Sequence, residues 1–308
     1  MTDMSDLGGS EGGRDPDGGG YLRGRAIVVT GAGRGLGAAY ARLAAAHGAS
    51  VVVNDIDAAC ASAVAESIRD GGGTAVSDAS DIVSWDGAGR LIAGCIGEFG
   101  AIDGLVNNAG VFRIASVSEQ DPADFRTVME VNLLGTAYCG LHALWAMRER
   151  GRGSVVNVTS GALAGSASLA AYGASKGAVA SLTYSWAIEV DGTGVRVNAV
   201  SPNAHTRMAE EFERYLGERA RGQNVGKSPD ANAPAVVFLL SDAAAGVNGQ
   251  IVRMDGEELS LMTHPGVRRP AAYDPQWTVR SVAGAFASSL GALARPPGLT
   301  GASAPDRR

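Results

Sequence analysis

The feature that most constrains this chain is a repeated alternation. Short, uninterrupted runs of β-branched and apolar residues are each followed by a longer stretch of helical character. The strand-like runs are AIVVT (26–30), SVVVND (50–55), TAVS (74–77), GLVN (104–107), SVVNVT (154–159), VRVNAV (195–200) and QIVRM (250–254). Between them lie helical stretches near 35–47, 57–70, 84–99, 122–149, 171–191 and 230–241. A strand without polar alternation has both faces covered, and strand–helix alternation supplies parallel strands joined by crossover helices. The pattern predicts an α/β fold, a doubly wound parallel sheet of about seven strands with helices on both faces. Such a sheet binds ligands beyond the carboxyl ends of its strands, so the informative residues are those that follow each run.

Residues 21–258 carry the alternation and are expected to form one catalytic domain, a size at which an α/β chain with 45% hydrophobic residues buries a large core. Residues 1–20 are rich in Gly and Asp; ordering them would cost backbone entropy with little burial in return, so a disordered tail is expected. Residues 259–308 form a C-terminal extension. In it Val279, Val282, Phe286, Leu290 and Leu293 recur at spacings of three and four, which predicts one amphipathic helix opened by Asp274-Pro275. Closing over a pocket, docking on a neighbouring subunit and capping the sheet are all open roles for it.

Charge and cysteine content narrow the function. The formal net charge is −6, which disfavours a general nucleic-acid binder. Cys60, Cys95 and Cys139 and the four histidines have no metal-ligand or redox spacing, so neither a metal site nor a disulfide framework is expected. The acidic N-terminus does not read as a secretory signal and no apolar run reaches about 18 residues, so a cytoplasmic protein without membrane partners is expected.

Directly after the first strand comes Thr30-Gly31-Ala32-Gly33-Arg34-Gly35-Leu36-Gly37, opening a helix. Glycines there allow a tight turn and let backbone N–H groups approach a pyrophosphate at the positive end of the helix. Asp55 ends the second strand, 18 residues after Gly37, where a carboxylate holds the hydroxyls of an adenosine ribose. It would repel a 2′-phosphate and so favours NAD over NADP; Arg34 inside the loop points the other way. The alternative for Asp55 is an ordinary strand end or helix cap.

The loop spacing, Asn107-Asn108-Ala109-Gly110 after the fourth strand, and Tyr172-Gly173-Ala174-Ser175-Lys176 occur in an order that resembles the short-chain dehydrogenase/reductase family over residues 21–258. The resemblance implies a Rossmann fold and a nicotinamide-dependent oxidoreductase acting on CH–OH groups. It also implies a catalytic set of Asn132, Ser160, Tyr172 and Lys176, with Thr159 a competitor for the serine role. Tyr172 and Lys176, four apart on a helix, share a face. A free phenol titrates near 10, and a neighbouring ammonium stabilises the phenolate that an alcohol's proton requires. The same resemblance implies cofactor contacts from Gly31, Arg34, Gly35, Leu36, Gly37 and Asp55, and from Asp78 and Ala79 at the adenine. It adds Asn108, Ala109 and Gly110 at the ribose, Tyr172 and Lys176 themselves, and Pro202 and Thr206 at the nicotinamide. His205 reads as a loop residue.

The stretch ALAGSASL (162–169) is small and apolar, with no clustered Arg or Lys to grip an anion, so the expected substrate is a largely apolar alcohol or ketone. Asn54-Asp55 and the Pro202–Met208 run resemble the branch containing the hydroxyacyl-CoA dehydrogenase unit of multifunctional β-oxidation enzymes and bacterial steroid dehydrogenases. That implies a 3-hydroxyacyl thioester or a steroid, with simple secondary alcohols open. The family resemblance also implies a homodimer or homotetramer built on the helices near 122–149 and 171–191. A cofactor-sensing or scaffolding protein of the same fold is the alternative; loss of Tyr172 or Lys176 would mark it, and both are present.

Overall fold

Apolar pentads with every side chain covered make the centre of the sheet, and the parallel ladder follows from their two-sided burial. The computed structural model describes residues 20–204, 206–217 and 228–299. Its strands are β1 (Ala26–Thr30), β2 (Ser50–Asn54), β3 (Thr74–Asp78), β4 (Gly104–Asn107), β5 (Gly153–Val158), β6 (Val195–Asn203), β7 (Ile251–Asp255) and β8 (Glu258–Leu261). They form one sheet in the order β3-β2-β1-β4-β5-β6-β7-β8. The first seven pair in parallel and β8 returns antiparallel on β7. The count is therefore eight rather than about seven. The eighth strand is four residues long with Leu259 and Leu261 both mostly exposed, so it carries almost no burial pattern.

The helices are α1 (Gly35–Ala46), α2 (Ala58–Asp70), α3 (Trp85–Phe99), α4 (Pro122–Met129), α5 (Thr136–Arg150), α6 (Ala170–Glu189), α7 (Arg207–Leu216), α8 (Ala233–Leu240) and α9 (Val279–Ala285). A π turn, Glu130–Gly135, joins α4 to α5 where one unbroken helix was expected. None of the helices among the described residues is long and apolar enough to cross a membrane.

Successive residues of a strand point to opposite faces, and the core divides accordingly. Ile27, Val29, Val51 and Val53 pack with α1, α2 and α8, while Val28, Val52, Leu105 and Val155 pack with α3, α5 and α6. Each such Val or Ile fully removed from water contributes roughly 1.5–3 kcal/mol of transfer free energy. The chain winds outward from β1 to β3 and then returns to place β4 on the other side of β1, so a crevice opens at the carboxyl ends of β1 and β4.

In the extension, a helical run begins at Val279, passes through a π turn at Phe286–Leu290 and ends at Leu293. Thr278 caps it, in a reciprocal pair with Ser281, rather than Asp274-Pro275. The expected tail up to Gly19 and the reading of His205 lie outside the described residues.

Candidate active site

At the crevice, the glycine loop is built for close approach of backbone. Gly31 has φ of +61°, and a β-carbon on it would fall 2.7 Å from Cα of Ala109. On Gly37 a β-carbon would run into the Gly31 carbonyl and the Asn108 side chain. Thr30 and Asn108 lock the loop to the end of β4. The Asn108 Nδ2 donates to the carbonyls of Thr30 and Gly31, each at 2.9 Å, and the amides of Asn108 and Ala109 donate to the Thr30 hydroxyl at 3.1 Å. The Asn108 side chain is thus committed to the loop, where a ribose contact was expected; its place beside Ala109 and Gly110 at the crevice remains.

Asp55 is buried at the end of β2. Its Oδ2 accepts the Gly33 amide and its Oδ1 the Asp57 amide, both at 3.0 Å. A β-carbon on Gly33 would lie 2.8 Å from Asp55 Oδ2, so loop and carboxylate define one cradle. Arg34 sits half-exposed at its rim and pairs with Asp57 at 3.3 Å. Asp57 is held below the usual carboxylate range, first by the Cys60 thiol and amide that donate to it and secondarily by Arg34. Gly35 opens α1, and Leu36 packs partly into the core. Asp78, at the end of β3, is oriented by Asn54 Nδ2 at 2.8 Å and by the Ser80 amide and hydroxyl, with Ala79 exposed beside it. The role of Asn54 in aiming Asp78 has no signal in the sequence, because it follows from the register that sets Asn54 beside Asp78 across β2 and β3.

On the other side of β4, the side chains expected to react come together. Ser160 follows β5, accepts the Ala162 amide at 3.3 Å, and lies near enough to the Tyr172 phenol, at the start of α6, to act on its proton affinity. Thr159 is buried and donates instead to the Lys176 carbonyl at 2.8 Å, which leaves Ser160 as the hydroxyl facing Tyr172. Lys176, one turn after Tyr172, is buried, with Nζ donating to the Val158 carbonyl at 2.7 Å and lying 5.7 Å from the Tyr172 ring centre. Burial lowers the Lys176 amine from 10.5 to about 8. Burial raises the Tyr172 phenol above its ordinary value, and the nearby Ser160 hydroxyl opposes that. The Phe112 ring meets Tyr172 edge-on at 6.2 Å.

Asn132 lies in the π turn, fully buried. Its carboxamide accepts the Val111 amide at 2.8 Å, and donates to the Val111 carbonyl at 2.8 Å and the Ser175 hydroxyl at 3.0 Å. The side chain therefore orders the segment after β4, around Val111, and α6 together. Gly110 separates it from Lys176: a β-carbon there would lie 3.2 Å from Asn132 Oδ1 and 3.7 Å from Lys176 Nζ. Pro202 pairs with Met254 at the end of β6. Thr206 caps α7, its hydroxyl accepting the Ala209 amide at 3.3 Å.

A glycine cradle at a helix start, a buried carboxylate at the next strand end, and a Ser–Tyr–Lys cluster across the switch point define a nicotinamide-dependent oxidoreductase. The cradle fits a dinucleotide because Gly31, Gly33 and Gly37 let the loop close against Ala109, Asp55 and Asn108, while Gly35, at the start of α1, faces open space where a phosphate would meet the helix N-terminus. Residues 25–215 match the family model described as short chain dehydrogenase. The chain belongs to the short-chain dehydrogenase/reductase family. It is similar to a cis-4-hydroxycyclohexanecarboxylate dehydrogenase of Sinomonas cyclohexanicum, 42% identical over 75% of this chain and 95% of that protein. It is also similar to 2-(S)-hydroxypropyl-CoM dehydrogenase 3 of Xanthobacter autotrophicus, 36% identical over 76% of this chain and 96% of that one. Among solved structures, a short chain dehydrogenase from Mycobacterium avium matches with a TM-score of 0.79 and 34% identity over 90% of this chain and 98% of that chain. The protein is an oxidoreductase acting on CH–OH groups with a nicotinamide cofactor.

Proposed function

We propose that the protein is an NAD-preferring dehydrogenase of a largely apolar secondary alcohol, with Tyr172 as acid/base. The observation that carries this reading is the Ser160–Tyr172–Lys176 cluster, placed across β4 from the glycine cradle. A nicotinamide held by the glycine loop and Asp55 would supply the hydride acceptor or donor for the carbinol carbon. The chain's own residues handle the proton: Ser160 holds the substrate oxygen, Tyr172 takes the hydroxyl proton during oxidation and returns it during reduction, and Lys176 stabilises the phenolate. Asn132 keeps Val111 and α6 in register with that exchange. Asp55 receives the adenosine ribose hydroxyls and disfavours a 2′-phosphate, while Arg34, already paired with Asp57, is drawn away from one. The related enzymes named above are dehydrogenases of a hydroxycyclohexanecarboxylate and of a hydroxypropyl-CoM. Together with the small apolar ALAGSASL wall, they support a compact secondary alcohol over a 3-hydroxyacyl thioester or a steroid.

The test is Tyr172→Phe against a panel of secondary alcohols, 3-hydroxyacyl thioesters and hydroxysteroids. Turnover should fall by about 10²–10⁴-fold while NADH affinity stays unchanged. Turnover within a few-fold of wild type would remove Tyr172 from the chemistry. Replacing Asp55 with Ser should raise NADP use relative to NAD by at least about tenfold, about 1.4 kcal/mol of discrimination.

We also propose a homodimer or homotetramer through α4–α5 and α6. Supporting it, Leu134 and Trp145 stand 37% and 52% exposed, and Ile188 at the end of α6 is 78% exposed. A monomeric mass by light scattering at micromolar concentration would refute it.

A further inference from the structure

We propose that residues 297–299, near the end of the C-terminal extension, form an outer wall of the substrate site and set which alcohols fit it. This inference rests on the dehydrogenase reading above. Ser160 runs straight into a short turn, Gly161–Ala164, and the Ala164 carbonyl accepts the Gly298 amide at 2.9 Å. The Leu299 Cδ2 lies 3.2 Å from where a β-carbon on Gly161 would be, and Pro297 lies 3.9 Å from that position on Gly165. All three contacts fall on the loop that carries Ser160.

The same loop is held from two other directions. The Ser168 carbonyl accepts the Ala115 amide at 3.0 Å, and the Ser168 hydroxyl meets the Tyr215 phenol of α7 at 3.2 Å. Ser168 sits at φ of +62°, a conformation that surrounding contacts must over-determine in a non-glycine residue. The chain after Gly110, the loop after Ser160, α7 and the extension therefore converge beyond the end of β5, on the side where a substrate reaches Tyr172.

How the extension is attached separates this from a simple packing role. Met262 and His264 bond back to Ile251 and Gly249. Among the described residues, no hydrogen bond then joins 265–297 to the rest of the chain. The helix over 279–293 buries none of its residues, with Val279 89% and Phe286 55% exposed. The strap is re-engaged at Gly298, whose φ of +114° suits only glycine, and the approach of Leu299 uses the missing β-carbon of Gly161. A strap fixed at its two ends, with the second end on the catalytic loop, places Leu299 where a substrate's distal part would lie.

The experiment compares the full chain with Leu299→Ala and Leu299→Asp. Steady-state turnover is measured on cyclohexanol, 4-hydroxycyclohexanecarboxylate, a 3-hydroxybutyryl thioester and a hydroxysteroid, and hydrogen exchange is followed at the Gly298 amide. The wild-type amide should be protected and should lose protection in Leu299→Asp. In Leu299→Ala, KM for the preferred compact alcohol should rise about tenfold with kcat within about twofold, and selectivity should move toward the bulkier alcohols. NADH affinity should be unchanged in both. Unaltered KM and selectivity in both variants overturn the proposal, as does an unprotected Gly298 amide in an active wild type. A wild-type enzyme that turns over nothing while Gly298 is protected defeats the dehydrogenase reading and the substrate wall together, and leaves a docked strap.

Discussion

Lys176 illustrates how one buried group ties stability to chemistry. Its amine is closed off from water and bonded to the Val158 carbonyl, and burial brings it from 10.5 to about 8. Burial penalises the protonated form, so the folded value lies below the unfolded one. The penalty is fully present below about 8 and disappears as pH rises toward 10.5. Relative to Lys176→Met, the cofactor-free protein should gain about 3 kcal/mol of unfolding free energy across that window. Urea titrations of both proteins at pH 7.5 and 10.5 would show it, and parallel curves would contradict it. The neighbouring hydroxyl acts in the other direction: Ser160 lowers the Tyr172 phenol that burial raises. In Ser160→Ala the acidic limb of the pH–rate profile for oxidation should move to higher pH, because the phenolate forms later. A limb that stays in place would remove the tuning role from Ser160. Tyr172 and Lys176 are legible in the sequence through the family resemblance: four-residue spacing puts them on one helix face, but such pairs recur by chance, and it is their order after the glycine loop and Asn107–Gly110 that singles them out. Thr159 and Ser160 are not separable there, since which of two adjacent hydroxyls turns toward Tyr172 depends on the contact of Thr159 with α6.

Elements with two covered faces and long apolar runs, such as β1, β2 and β5, announce themselves through composition. The π turn at Glu130–Gly135 does not, because a five-residue repeat inserted in a helix leaves the surrounding periodicity almost intact. Its effect is to bring Asn132 inward, between Val111 and Ser175. Asn132→Ala would orphan the Val111 amide and carbonyl, at about 1–3 kcal/mol for each buried group left unsatisfied. Calorimetry should show a lowered Tm together with reduced kcat, and an unchanged Tm would mean that water replaces the carboxamide. The missed helix α7 had a signal in Met208, Phe212 and Tyr215, spaced four and three apart, obscured by the acidic residues between them. Strand β8 had none of comparable strength, since its side chains remain exposed.

Across the whole molecule, the division into two apolar layers could be read from alternation alone, and the glycine loop could be placed at the carboxyl end of β1. The return of the extension to the loop after Ser160 could not. It depends on one backbone hydrogen bond between residues 134 positions apart, and neither Gly298 nor Ala164 carries a side chain that encodes a partner. The lock between Thr30 and the Asn108-Ala109 pair joins residues 78 and 79 positions apart, and it forms only when β4 settles against β1. Contacts of such long separation close slowly because the intervening chain must first be ordered. A nascent or refolding chain that has completed β1, α1 and β2 therefore already contains every glycine of the loop and Asp55, yet has no pinned cradle. In stopped-flow refolding, NADH fluorescence should lag the recovery of helical signal, making the dinucleotide a reporter of final sheet closure.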